Sequence, residues 1–130
     1  MMTRLEHVGV WVANLERVAS FYANYFGATV GELYRNERKG FESRFLTFGG
    51  GARLEVMTRR DVVRVAPEEL LGLAHVALCV GDEAAVDALA ARLRAAGVPV
   101  DSGPRRTGDG YYECVVRDPE GNRVEVTAEK

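Results

Sequence analysis

The sequence has few of the residues that would tie it to a disulfide scaffold, a membrane or a nucleic acid. It has only two cysteines, Cys79 and Cys114, in no CxxC spacing, and because both lie in apolar segments we expect buried thiols. No apolar run approaches the ~20 residues needed to span a bilayer, and residues 1–7 contain no apolar signal segment, so we expect a cytoplasmic protein. The 17 basic residues are scattered among 19 acidic ones, which argues against a nucleic-acid partner.

What the sequence does contain is apolar material and an internal repeat. Hydrophobic residues make up 47% of the 130 residues, enough for the core of one domain. Residues 5–12 (LEHVGVWV) match residues 73–80 (LAHVALCV), and residues 51–56 (GARLEV) match residues 121–126 (GNRVEV). The same segments recur in the same order at nearly the same offset, which indicates two copies of one module.

Each copy predicts a strand, a helix and three further strands. Asn14 and Asp82 are expected to cap the helix starts, and Gly27 and Gly97 to follow the helix ends. We expect helices at 15–26 and 83–96, and strands at about 4–12, 29–35, 41–48, 52–58, 72–80, 98–102, 111–117 and 122–128.

These elements predict an α+β domain spanning residues 1–130 and made of two βαβββ modules. The modules are expected at residues 1–58 and 71–130. A charged, proline-containing linker at 59–70 is expected to join them. Asp118-Pro119-Glu120-Gly121 predicts a tight turn before the last strand.

Two histidines and two glutamates occupy matching positions in the modules. His7 and His75 are the only histidines of the chain, and strand alternation sets each of them opposite the aliphatic face that packs under the helix. Glu55 and Glu125 are placed in the same way in the closing strands. A lone His or Glu is usually a satisfied or solvated residue, but the repeated pattern of two imidazoles and two carboxylates favours a divalent-cation site.

On these segments, together with Phe21-Tyr22, Arg44-Phe45-Leu46 and the turn at 118–121, the chain resembles the vicinal oxygen chelate superfamily. Within it, the chain is similar to the glyoxalase I (lactoylglutathione lyase) type over nearly its whole length. The resemblance implies paired modules in a curved, cup-like mixed sheet with the helices outside. It also implies one metal ion (Zn, Ni or Co, with Mn or Fe as alternatives) held by His7, Glu55, His75 and Glu125. A homodimer is expected, with the site formed within one chain or across two.

The resemblance implies an isomerase or lyase acting on a hemithioacetal of methylglyoxal or of a related 2-oxoaldehyde. In such a reaction the metal stabilises an enediolate while a carboxylate moves the proton, and we expect Glu125 as the base and Glu55 as its partner. Two alternatives stay open: a metal-free drug- or metabolite-binding protein of the bleomycin-resistance kind, and an iron-dependent ring-cleaving dioxygenase. The second glutamate argues against the dioxygenase, and the full ligand set argues against the binding protein.

Four residues are candidate substrate contacts. Trp11 stands where glutathione-using glyoxalase I enzymes generally carry an Arg, four residues after the first His, so the thiol carrier stays open. Residues 103–112 form a Gly-rich segment that predicts either a lid, with Arg105 or Arg106 meeting an anionic substrate group, or a solvated turn. Tyr111, in the same segment, is the fourth candidate.

Overall fold

The computed structural model describes residues 1–67 and 69–130. They divide into two compact units, Met1–Val65 and Ala66–Lys130. The described residues form two helices and nine strands, arranged as one open mixed sheet with one helix in each unit. The expected α+β class is therefore confirmed.

The first unit has one strand more than predicted. Its elements are β1 (His7–Trp11), α1 (Leu15–Phe26), β2 (Thr29–Val30), β3 (Tyr34–Asn36), β4 (Phe41–Thr47) and β5 (Arg53–Arg59). The sheet order is β1-β5-β4-β2, with β3 also paired to β4, and only the β1–β5 pair is parallel. The single strand predicted at 29–35 was wrong. The Gly31 N–H still donates to the Phe45 carbonyl at 2.8 Å, and its carbonyl accepts a hydrogen bond from the Arg44 side chain at 2.8 Å. Strand pairing with β4 then resumes at Tyr34, so the predicted strand is divided into β2 and β3.

The second unit follows the predicted order of elements. These are β6 (Val76–Gly81), α2 (Glu83–Ala95), β7 (Val100–Arg106), β8 (Tyr112–Arg117) and β9 (Arg123–Ala128). The sheet order is β6-β9-β8-β7, and only the β6–β9 pair is parallel.

The Gly-rich segment predicted as a loop at 103–112 is partly strand. Residues 103–106 belong to β7, and the chain reverses at 107–110, where the Gly110 N–H donates to the Thr107 carbonyl at 3.0 Å. Gly103 has a φ of 81°, and a Cβ there would lie 2.6 Å from the Glu113 carbonyl oxygen. Glycine thus permits a close approach of β7 to β8 where the register is irregular.

Both helices begin at the expected caps. The Asn14 side chain accepts the Arg17 N–H at 3.1 Å, and the Asp82 side chain accepts the Ala85 N–H at 2.9 Å. Each cap satisfies a backbone donor that the first turn leaves without a helical partner. Gly27 ends α1 in the left-handed conformation, with φ 67°.

In each unit the helix covers one face of its own sheet. The buried side chains that form these cores include Val18, Phe21, Tyr22, Leu46, Leu54 and Val56 in the first unit and Val86, Leu89, Leu93, Val116, Val124 and Val126 in the second. Each such burial contributes roughly 1.5–3 kcal/mol. The opposite face of each sheet therefore carries residues that are not needed for the core.

The expectation of two buried cysteines was half right. Cys114 lies in the core and is 1% exposed, but Cys79 is exposed. In β6 the exposed residues Ala77 and Cys79 alternate with Val76, Leu78 and Val80, which are partly buried. Cys79 thus lies on the face away from the helix.

Candidate functional site

In the first unit, strand pairing brings His7 and Glu55 together. β1 and β5 run side by side with His7 opposite Arg53 and Gly9 opposite Glu55, which makes His7 and Glu55 diagonal neighbours on one face. The His7 Nε2 atom lies 3.7 Å from Glu55 Oε1. Both side chains are partly accessible, 40% for His7 and 17% for Glu55.

The His7 ring is held by its surroundings. Its Nδ1 atom lies 3.1 Å from Glu6 Oε1, and the ring stands edge-on to Phe45 with centroids 5.2 Å apart. Hydrogen bonds from Arg53 and then from His7 keep the pKa of Glu6 below its ordinary value. A carboxylate on Nδ1 favours the tautomer that carries its proton there and leaves the Nε2 lone pair directed toward Glu55.

In the second unit, His75 and Glu125 form the matching pair. His75 immediately precedes β6 rather than lying inside it as predicted, and the next residue, Val76, is opposite Val124 of β9. His75 Nε2 lies 3.3 Å from Glu125 Oε2. Their side chains are 36% and 26% exposed.

Both pairs are spaced more widely than an ordinary hydrogen bond, and the second pair has the spacing of two ligands on one cation. N–H···O bonds usually measure about 2.7–3.2 Å between heavy atoms, whereas the pairs measure 3.7 and 3.3 Å. Two ligand atoms at about 2.0–2.2 Å from one divalent ion lie about 3.0–3.5 Å apart in neighbouring positions. The second pair lies within this range, and the first pair is slightly wider. Imidazole and carboxylate are also the donors that such an ion prefers.

Each unit by itself supplies a pair of donors and not a complete ligand set. Over residues 1–67 and 69–130, no group of three or more His, Cys, Asp or Glu side chains is arranged to hold a metal ion. The sharing of one ion by His7, Glu55, His75 and Glu125 therefore stays a prediction.

A further carboxylate, that of Glu113, lies beside the His75–Glu125 pair and was not among the residues predicted from the sequence. Glu113 of β8 lies opposite Thr127, and its neighbour on the same face, Val115, lies opposite Glu125, so Glu113 is diagonal to Glu125. The two carboxyl groups are hydrogen-bonded, and burial, followed by the Glu125 charge, raises the pKa of Glu113. The signal was present in the sequence, because alternation from the apolar Cys114 puts Glu113 on the open face of the sheet.

Among the candidate substrate contacts, Trp11 lies on the same face as His7. It ends β1, is 42% exposed and meets Phe41 edge-on with ring centroids 6.1 Å apart. The Arg59 guanidinium lies over its indole at 5.1 Å. Trp11 is therefore accessible on the face that carries the His7–Glu55 pair.

The three candidates from the Gly-rich segment differ in direction. Arg106 is hydrogen-bonded to Glu83 at the start of α2, and Tyr111 is 38% exposed beneath the Lys130 ammonium, 4.5 Å from its ring centroid. Arg105 is exposed and lies opposite Glu113 in the β7–β8 register. Of the two arginines, Arg105 is the better placed to meet a ligand near Glu125, and a substrate contact at any of the three stays a prediction.

Comparison with solved structures finds the same fold in proteins of this type. The trypanothione-dependent glyoxalase I of Leishmania major is 26% identical, with a TM-score of 0.81 over 98% of this chain and 88% of its own. A glyoxylase/bleomycin resistance protein/dioxygenase domain from Frankia sp. EAN1pec is 17% identical, with a TM-score of 0.85 over 100% of this chain and 94% of its own. A lactoylglutathione lyase from Agrobacterium tumefaciens is 22% identical, with a TM-score of 0.66 over 98% of this chain and 94% of its own. The last two show likeness of fold alone.

No curated protein sequence matches the chain significantly. Neither helix of the described residues is long and apolar enough to cross a bilayer.

The family model for the glyoxalase/bleomycin resistance protein/dioxygenase superfamily matches residues 4–126. The chain therefore belongs to this superfamily.

Proposed function

We propose that the chain is a metal-dependent isomerase or lyase of glyoxalase I type. Its substrate is a hemithioacetal of methylglyoxal or of a related 2-oxoaldehyde, and its ligands to one divalent ion (Zn, Ni or Co) are His7, Glu55, His75 and Glu125. The observation that carries the proposal is the repeated His–Glu pair, with Nε2–Oε distances of 3.7 and 3.3 Å. Membership of the superfamily and the similarity to the Leishmania major glyoxalase I support the class of reaction.

The residues would divide the work between holding the ion and moving a proton. When bound, a divalent ion supplies Lewis-acid stabilisation of the negative charge that develops on the substrate oxygens. Glu125 is the proposed base: it takes the proton from the carbon next to the carbonyl and, once protonated, returns the same proton to the neighbouring carbon. Glu55 is its proposed partner. Both carboxylates are partly accessible, as a group that contacts a substrate must be.

The proposal is tested first by metal uptake. Metal-stripped protein is titrated with zinc, nickel and cobalt, and we expect one ion per complete ligand set. The titration also separates this proposal from a metal-free binding protein, which would need no bound ion. Failure to take up any of the three ions would end the proposal.

Turnover is tested on Glu55→Gln and Glu125→Gln. Because the amide keeps an oxygen donor but cannot accept the proton, each variant should lose about 10²–10⁴ in kcat while metal uptake falls less. Glu42→Gln is the matched control, because Glu42 is paired with Arg35 at 2.9 Å and has no role in the proposed site. Full activity in both site variants would refute the mechanism.

The thiol carrier is sought with methylglyoxal adducts of several thiols. Glutathione, bacillithiol and trypanothione give hemithioacetals with different tails around the same reacting carbons. Trp11 stands at the position where an Arg is expected in an enzyme that uses glutathione. We therefore expect that the glutathione adduct is not the best substrate. Highest kcat/KM with glutathione would contradict this expectation.

A further inference from the structure

The open face of the first sheet ends in three aromatic side chains and one methionine beyond the His7–Glu55 pair. We call it the aromatic end and define it as Trp11, Tyr34, Phe41 and Met57. Trp11 lies opposite Met57 in the β1–β5 register, and Tyr34 lies opposite Ser43, which in turn pairs with Met57. Phe41 lies two residues before Ser43 in β4, so all four side chains are on the face that carries His7 and Glu55.

The rings of the aromatic end contact one another but remain open to solvent. Phe41 lies between the other two rings, with centroids 6.1 Å from Trp11 and 6.0 Å from Tyr34, both edge-on. Trp11 is 42% exposed and Tyr34 is 56% exposed. Rings that served only the core would be buried, so these exposed rings are available to something else.

A cation and a sulfur atom shape the same surface. The Arg59 guanidinium lies over the Trp11 indole at 5.1 Å and donates its Nε–H to Asp61 at 2.5 Å. The Met57 methyl group lies across Gly9, where a Cβ would come within 3.0 Å of it. The absence of a side chain at Gly9 therefore leaves room for the Met57 methyl group between the His7–Glu55 pair and the aromatic end.

The second unit has no such surface at its corresponding positions. Pairing in the β6–β9 ladder puts Cys79 opposite Thr127, where the first unit has Trp11 opposite Met57. Glu113 takes the place that Ser43 has in the first unit. Both units fold with a helix on a mixed sheet whose first and last strands pair in parallel. The fold itself therefore does not require the aromatic end.

We propose that the aromatic end binds a planar apolar group, such as an aromatic ring, carried on the same substrate molecule whose oxygens reach His7 and Glu55. The inference rests on the proposed function for the reacting end of that molecule. Trp11 lies four residues beyond His7 along β1, about 13 Å at the rise of a strand. The substrate class is thus a 2-oxoaldehyde adduct with a planar apolar tail long enough to cover this distance.

The tail is planar because of how the rings are arranged. Edge-on neighbours leave a ring face uncovered, and a planar group stacks on such a face. The guanidinium over Trp11 can also stack on a second planar group. A flexible aliphatic tail would use neither contact, so it should bind more weakly than an aromatic tail of the same length.

The test uses Trp11 itself, which is the only tryptophan of the chain. Metal-free protein is titrated with 3-phenylpropionate while the emission of Trp11 is followed, and 3-cyclohexylpropionate is the probe matched in charge and length. We expect a saturable change with the phenyl compound and weaker binding of the cyclohexyl compound. Equal binding of the two probes, or no saturable change with either, would overturn the inference.

Two variants locate the binding. Phe41→Leu removes a ring that contacts Trp11, and at the value of an aromatic pair it should weaken 3-phenylpropionate about 2- to 12-fold. Tyr112→Leu removes a ring on the helix side of the second sheet, where its hydroxyl donates to Asp87, and should leave the affinity unchanged. Equal affinities in wild type and Phe41→Leu would contradict the assignment. Trp11 emission that changes with protein concentration but not with either probe would also contradict it, because a second copy of the chain would then cover the rings.

Failure of this inference and failure of the proposed function are separable. The titration needs neither a metal ion nor turnover. Turnover of short adducts without probe binding would refute the aromatic end alone. Probe binding by a protein that takes up no metal would refute the isomerase and leave the aromatic end as a ligand site.

Discussion

Asp118 gives the sharpest test of what stabilises the turn before β9, the strand that carries Glu125. This carboxylate is 4% exposed, and its Oδ1 atom accepts the backbone N–H groups of Glu120 and Asn122, each at 2.9 Å. Its Oδ2 atom accepts the Asn122 side-chain N–H at 3.0 Å. The turn that these bonds close leads directly into β9, where Glu125 is the third residue.

The perturbation is Asp118→Ala. Hydrogen bonds to a charged group contribute about 1.5–3 kcal/mol each, and the substitution removes two to backbone donors. Water can replace part of the hydrogen bond that the backbone N–H of the half-buried Glu120 loses. We therefore expect the free energy of unfolding to fall by about 3 kcal/mol. At a urea slope of about 2 kcal/mol/M, the midpoint of unfolding should fall by roughly 1.5 M.

Urea unfolding of metal-free protein measures the effect, with two comparison variants. Asp118→Asn keeps one acceptor oxygen and should lose less than the alanine variant. Asp109→Ala removes an exposed carboxylate hydrogen-bonded to Thr107 in the β7–β8 turn and should leave the urea midpoint nearly unchanged. A loss below about 1 kcal/mol in Asp118→Ala, or an equal loss in Asp109→Ala, would refute the reasoning.

Two further predictions concern thiols and carboxyl groups. In native protein a thiol reagent should modify Cys79 quickly and leave Cys114 intact. The reason is that burial both covers the Cys114 thiol and raises its pKa. Modification of two thiols per chain at equal rates would contradict this prediction. Because the folded-state pKa of Glu113 is raised from its ordinary 4.5, its contribution to stability is present below that value and is lost as the pH rises through the folded pKa. Glu113→Gln should therefore raise the melting temperature of metal-free protein above this window and change it little below. The same shift at all pH values would argue against burial and the Glu125 charge as the causes of the raised pKa.

The secondary structure was largely predictable because its causes are local. Apolar residues at helical spacing, with Asn14 and Asp82 at the starts, predict α1 and α2 to within a residue. The errors occur where a distant part of the chain decides. The predicted strand at 29–35 divides because β2 and β3 pair with separate parts of β4, and β7 runs on to Arg106 because it pairs with β8.

The sequence by itself determined which side chains share a face, because alternation along a strand depends only on the local backbone. Alternation is enough to put His7 and Glu55 on one face, and in β8 it puts Glu113 on the open face as well. Only the tertiary structure decided how close such groups come. The 3.7 Å within the first pair and the contact of Phe41 with Trp11 depend on the register between strands that are far apart in the chain, and no local pattern encodes that register.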